Sequence, residues 1–206
     1  IDYRAGNLSS VLCAVEHLGH EAVITDDAGV IRAATSVIFP GVGAAGSTMK
    51  NLRDLGLDTL LRDEIHTSGT PMLGICIGIQ IIFETSEEDD AACLGILKGT
   101  VKRFPESREL KIPQIGWNKV TFTRPHPIFD GVPDGSHFYF VNSYRPVPAS
   151  EEVVHATTEY GETFPSVVAK GNLVATQFHL EKSGEAGLKM LENFCRWDGH
   201  TLGGKV

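Results

Sequence analysis

Gly74-Ile75-Cys76-Ile77-Gly78 is a G-x-nucleophile-x-G pentapeptide with cysteine in the nucleophile slot. Pro71 to Ile75 ahead of it reads as a buried strand, and Ile77 to Glu84 behind it as a helix. At such an elbow the nucleophile sits in a strained backbone, and flanking glycines remove Cβ clashes. The sulfur is aimed out of the sheet at the N-terminus of the next helix. Aligned peptide dipoles there favour a thiolate, which is the reactive species of a cysteine. The pentapeptide alone also fits a buried cysteine at a tight strand–helix turn.

A thiolate needs a base and a proton carrier, and the chain has eight histidines. His17, His20 and His66 fall at helix ends, His126 among prolines, His137 and His155 in strands, and His200 near the C-terminus. His179 ends the apolar run that starts at Leu173. A strand end at the carboxyl edge of a sheet is where α/β folds place their sites. Glu181 lies two residues on, so in an extended chain both side chains point to the same side. Glu181 is then placed to orient the imidazole as the third member of a triad. The plain alternative is a surface His and Glu after a strand.

Gly41-Val42-Gly43-Ala44-Ala45-Gly46 is a literal G-x-G-x-x-G between a strand and a helix. As a dinucleotide fingerprint it is misplaced. It follows a later strand than the first, Pro40 interrupts the junction, and the position about 20 residues on is His66 rather than an acid. The other use of such a backbone beside a nucleophile is to donate N–H groups to an oxyanion.

The elements that must hold these residues alternate in period. Asn7–Leu18 reads as a helix, 21–25 and 36–39 as strands, 47–67 as helix, 71–75 as strand, and 77–84 as helix. Strands alternating with helices imply βαβ units and a parallel sheet. Beyond Gly95 the chain turns extended, with strands expected at 137–144, 152–159, 166–170 and 173–179, close enough together that some must pair antiparallel. The helix 185–197 closes the domain. The expectation is an α/β fold: a central, mostly parallel sheet flanked by helices, with an added antiparallel strand region. One domain spans 1–198, and 199–206 is a flexible tail. Glu87-Glu88-Asp89-Asp90 reads as a solvated acidic loop.

With 206 residues, 42% hydrophobic and 21% charged, the chain can bury a sizeable core without disulfides. No stretch approaches the roughly 18 apolar residues of a membrane span. The net charge of −8 argues against nucleic acid or anionic membrane as partner; the bases Lys98, Lys102, Arg103 and Arg108 read as scattered surface charge. Cys13, Cys76, Cys93 and Cys195 are too widely spaced for a zinc or redox pair, so no metal is expected. No secretory leader is visible, which places the chain in a reducing cytoplasm. It opens Ile1-Asp2-Tyr3 without Met, so a few leading residues are expected to be missing.

Taken in order, Pro40-Gly41-Val42-Gly43, Gly74 to Gln80 and Gln177-Phe178-His179-Leu180-Glu181-Lys182-Ser183 resemble the triad-type, class I glutamine amidotransferases, whose fold is flavodoxin-like. Ile1-Asp2-Tyr3 with Gly6-Asn7-Leu8, Pro113 to Asn118, Phe138 to Val141 with Ser143-Tyr144, and Ala156 to Gly161 narrow the resemblance to glutaminase subunits of imidazole glycerol phosphate synthase. The resemblance covers about residues 1–197. It implies that Cys76 is the nucleophile, His179 the base and acid, and Glu181 the orienting carboxylate. Gly41, Val42 and Gly43 become the oxyanion strand. Gly43, Gln80, Ser143 and Tyr144 become contacts to glutamine. The implied partner is a (β/α)8-barrel cyclase, met at a rim holding Trp117, Asn118, Asn142 and Lys182; no cofactor is implied. Arg4-Ala5, Leu180 and Asn142 depart from the family pattern, Leu180 where a proline is common and Asn142 where histidine is common. The rival readings are a stand-alone cysteine hydrolase or peptidase of a related α/β fold, and a non-catalytic glutamine-binding subunit.

Overall fold

The computed structural model describes residues 1–4, 6, 8–106 and 110–200. Its α-helices are α1 (Leu8–His17), α2 (Ala28–Ala33), α3 (Ala45–Asp54), α4 (Leu57–Thr59), α5 (His66–Ser68), α6 (Ile77–Ile81) and α7 (Gly184–Arg196). Its strands are β1 (Val37–Phe39), β2 (Met72–Ile75), β3 (Thr85–Ser86), β4 (Ala91–Ala92), β5 (Gly99–Arg103), β6 (Gln114–Lys119), β7 (Thr121–Phe122), β8 (His137–Asn142), β9 (Tyr144–Pro148), β10 (Val154–Glu159), β11 (Thr163–Lys170) and β12 (Leu173–Thr176).

The main sheet runs β1-β2-β12-β11-β10-β7. β2 lies parallel to both β1 and β12, whereas the pairs from β12 outward are antiparallel. The α/β class and the added antiparallel region are therefore present, but the parallel part is limited to three strands. That parallel part carries the site. Every residue of β2 is buried, as expected for a strand covered on both faces. A smaller sheet, β4-β3-β5-β9, and the hairpin-like pair β6-β8 stand beside it.

Three local expectations are corrected. The segment 21–25 is not a strand: it pairs with no strand among the described residues, its Thr25 O accepts from the Asp2 N–H (2.8 Å), and Val23 is 67% exposed. A strand needs a neighbour to pair with, and here an open groove of about 570 Å³ separates the segment from α1 and β1. The helix expected over 47–67 is broken, because Leu55 and Gly56 interrupt it with Gly56 at φ +68°; the chain resumes as α4, a π-helical stretch Leu60–Ile65, and α5. Gly56 has no Cβ to resist the left-handed turn. Part of the expected tail is packed. Gly199 is buried and Trp197 Nε1 donates to His200 O at 2.7 Å; the rest of it, 201–206, falls outside the described residues, as do Ala5, Asn7 and Arg108.

α7 buries Gly187, Met190, Leu191 and Phe194 on one stripe. Gly187 is required there: a Cβ on it would stand 2.2 Å from Leu180 O. This close approach seats the turn that follows β12 against α7 and fixes the position of His179 and Glu181.

Candidate active site

Cys76 lies between β2 and α6 with φ +55° and ψ −100°. A non-glycine residue in that region costs about 1–3 kcal/mol and persists only when its surroundings hold it there. Its own N–H is tied to Thr176 O at 2.8 Å. The glycines on either side answer to packing: a Cβ on Gly74 would sit 2.9 Å from the Gly78 backbone, and one on Gly78 would sit 2.7 Å from Phe39 O. The sulfur is buried, 3.8 Å from Val141 O and 3.9 Å from Gln177 Nε2.

His179 faces it from the end of β12. The His179 N–H donates to Tyr139 O at 3.0 Å, and Ser183 Oγ, which accepts from the Tyr139 N–H at 3.0 Å, donates to His179 O at 2.5 Å. These bonds tie the turn after β12 to β8. His179 Nδ1 meets Glu181 Oε1 at 2.8 Å with both side chains fully enclosed. Burial disfavours the charged imidazole, but hydrogen bonding and charge from Cys76 and Glu181 outweigh it and raise His179 to about 9. The carboxylate thereby fixes one ring nitrogen and leaves Nε2 for the sulfur.

A cavity of about 300 Å³ opens onto Cys76 and His179. Val42 and Gly43 form one wall, and Gln80, Ser143 and Tyr144 another. Gly41, just before Val42 and Gly43, is buried, and a Cβ on it would collide with the Tyr3 hydroxyl at 1.7 Å. Gly43 adopts φ +133°. Gln80 reaches Tyr144 O at 3.4 Å and Gln177 Oε1 at 3.3 Å through Nε2.

A model of the class-I glutamine amidotransferase family matches residues 1–197. The chain belongs to the class-I glutamine amidotransferases. Among its relatives, the imidazole glycerol phosphate synthase subunit HisH of Dehalococcoides mccartyi is 50% identical over 197 residues, covering 95% of each chain. The subunit of the same name from Moorella thermoacetica is 50% identical, covering 94% of this chain and 91% of its own. Two solved structures share the fold. A crystal structure of a glutamine amidotransferase superposes with a TM-score of 0.69 at 22% identity, covering 93% of this chain and 95% of the other. The glutaminase domain of Trypanosoma brucei CTPS with bound acivicin gives 0.66 at 13% identity, covering 94% and 92%.

Within this amidotransferase, the residues expected at the rim divide. Trp117 is 56% exposed and Lys182 is exposed at the cavity edge. Asn118 is half-buried and donates from Nδ2 to Glu159 O at 2.8 Å. Asn142 is not on the rim: it is buried in the cavity wall, its Nδ2 on Tyr144 O at 3.0 Å. It ends β8, whose even-numbered residues Phe138 and Phe140 point inward, and it follows the same alternation.

Sequence reasoning missed Glu88. The acidic run is not uniformly solvated, since Glu88 is half-buried, lines the cavity and accepts the Ala45 N–H on Oε2 at 2.8 Å. Burial raises its carboxyl above the usual range. Only one side chain of the short 3-10 turn Glu88–Asp90 turns inward, and no periodicity in a four-residue run reveals which. Glu88 and Asp89 also dispose of the dinucleotide reading. A carboxylate caps α3, and a Cβ on Gly46 would stand 2.7 Å from Asp89, where a pyrophosphate would have to lie.

Proposed function

We propose that this chain hydrolyses L-glutamine to glutamate and ammonia and passes the ammonia to a (β/α)8-barrel cyclase subunit, the pair making imidazole glycerol phosphate and AICAR in histidine biosynthesis. The names borne by relatives at about 50% identity along nearly the whole chain support this reading. The observation that carries the chemistry is Cys76 at a strained elbow, sharing a cavity wall with His179, whose Nδ1 is held by Glu181 at 2.8 Å.

The Cys76 thiolate attacks the γ-carboxamide carbon, forming a C–S bond and pushing the carbonyl electrons onto oxygen. N–H donors from the oxyanion strand and the start of α6 take that charge; one such donor is commonly worth about 3 kcal/mol. His179, held protonated well above neutral pH, gives its proton to the nitrogen. The C–N bond breaks and ammonia leaves. The neutral imidazole then draws a proton from water, which attacks the thioester and returns the sulfur to thiolate. Glu181 stays ionised and steadies the imidazolium. Free glutamine also carries an ammonium and a carboxylate. Glu88 offers a carboxylate to the first, and Lys182, with the polar wall Gln80, Ser143 and Tyr144, complements the second.

The test is ammonia release from glutamine by the chain alone and with the cyclase subunit. The expected result is turnover that rises on adding the cyclase and is lost in Cys76→Ala. Equal turnover by Cys76→Ala overturns the proposal.

A further inference from the structure

Gln177 touches the reacting sulfur, and no step of the proposed reaction uses it. It follows β12 directly, with its N–H on Ser166 O of β11 at 2.9 Å. Alternate residues of an extended chain share a side, so Gln177 and His179 both turn towards Cys76. Phe178 between them packs instead on Phe138 and Phe140, with ring centroids 4.3 and 5.5 Å away. The Gln177 side chain is fully buried, outside the cavity that Gln80 lines. Its Nε2 donates to Cys76 Sγ at 3.9 Å, and its Oε1 accepts from Gln80 Nε2 at 3.3 Å.

A primary amide donates at one end and accepts at the other, so the end that meets the sulfur decides its effect. Here the main chain sets the orientation. Tyr144 O can only accept, so Gln80, 3.4 Å away, must present its Nε2 to it. The same Nε2 faces Gln177 Oε1. With its oxygen engaged, Gln177 is left with its Nε2 towards Cys76. A donor to sulfur favours the thiolate, which accepts hydrogen bonds far better than a thiol does. Val141 O, 3.8 Å from the sulfur, accepts and so favours S–H instead. The sulfur thus stands between an acceptor and a donor, and the donor is held in place by a second amide.

We propose that Gln177 stabilises the Cys76 thiolate by donating its side-chain amide to the sulfur, with Gln80 as the positioning residue that keeps the amide in that orientation. The inference rests on reading Cys76 as the nucleophile. It gives Gln80 a second duty beside contact with glutamine, because the cavity wall then reaches the nucleophile through one buried amide. The amide carries no charge to lose, so this donor persists when His179 gives up its proton near pH 9.

Iodoacetamide reads the thiolate without calling on the glutamine contacts, and mass spectrometry of the Cys76 peptide follows it. Gln177→Met keeps the length of the side chain and removes the donor. Its alkylation at pH 7 should be at least tenfold slower than in wild type, and less than twofold slower at pH 10, where an ordinary thiol ionises unaided. His179 is common to both chains, so the comparison isolates the amide. Equal rates at pH 7, or the same slowing at both pH values, overturn the proposal. Gln80→Met frees the Gln177 amide to turn and should slow alkylation at pH 7 at least threefold; an unchanged rate overturns the part assigned to Gln80. If Gln177→Met does not fold, NMR of wild type and Cys76→Ala serves. The Gln177 side-chain amide proton should lie downfield in wild type, and the same resonance in both chains overturns the contact. Glutamine turnover separates the two readings. Full turnover in Cys76→Ala removes the catalytic reading, whereas loss of turnover there beside unaltered alkylation of Gln177→Met removes only the role of the amide.

Discussion

Cys76 and His179 each respond to conflicting demands, and the conflicts are measurable. Cys76 holds φ +55° so that its sulfur faces His179, and it contributes chemistry more than packing. Cys76→Ala should cut glutaminase turnover by at least a thousandfold while leaving the melting temperature nearly unchanged, read by ammonia release and calorimetry. Cys76→Gly should be equally inactive but more stable than Cys76→Ala by about 1 kcal/mol, because glycine tolerates that backbone; equal stability would mean that the elbow is unstrained. His179 is raised from 6.5 to about 9, with burial opposing the shift and Cys76 and Glu181 driving it. A raised pKa means that the folded state holds the proton more tightly than the unfolded chain. The contribution is therefore complete below about 6.5 and fades as pH climbs through about 9. Denaturant titrations of wild type and His179→Gln at pH 6 and pH 10 should show the wild-type advantage shrinking towards alkaline pH. An advantage that grows with pH would reverse the assigned sign. Glu88, the residue the sequence concealed, should act on binding: Glu88→Gln is expected to raise KM for glutamine tenfold or more, with kcat changed less, in steady-state assays.

The elements that carry these residues differ in how plainly they could be read. Apolar runs closed by glycine or proline marked β1, β2 and β12, since strands buried on both faces need continuous apolar sequence. The helix α7 was legible from its apolar stripe. The 21–25 segment, with Ala22, Val23 and Ile24 at its centre, failed as a strand because pairing is a property of two segments and a single run shows only one of them. The turn after β12 was legible in chemistry but not in geometry. Its Leu180 begins a 3-10 turn directly after His179, which has φ −88° and ψ 108°. That extended backbone is what a following proline requires, and the first position of a helical turn is where proline is best tolerated. Leu180→Pro should therefore keep the triad and its activity. The cost comes from packing, since Leu180 is 1% exposed in the core. Trimming it to a proline ring should lose about 1–2 kcal/mol, measured by denaturant melts beside glutamine turnover. Activity lost with the fold intact would show that the Leu180 N–H serves the site.

On the scale of the whole molecule, the cavity opens beside a face that is unusually apolar. β6 and β8 pair so that Ile115 lies opposite Val141 and Trp117 opposite Tyr139. Their inward neighbours Phe138 and Phe140 are fully buried, so the alternation of the pair throws the other set outward. Ile115 is 64% exposed, Trp117 56% and Val141 37%. Trp117 leans edge-on against Tyr139 at 6.1 Å, within reach of Gly184 at the head of α7. Val141 carries the carbonyl 3.8 Å from the Cys76 sulfur, so whatever covers this face presses on the strand that borders the reaction. Exposed aromatic side chains of this kind anchor interfaces, and the proposed cyclase is the partner expected here. Trp117→Ala should weaken the complex by about 2 kcal/mol or more and lower cyclase-stimulated ammonia release, while the lone chain melts within a few degrees of wild type. Isothermal titration against the cyclase, with a thermal melt of the lone variant, reads both quantities. Unchanged affinity beside a large drop in melting temperature would make Trp117 a supporting core residue, and the cyclase would have to dock elsewhere on the molecule.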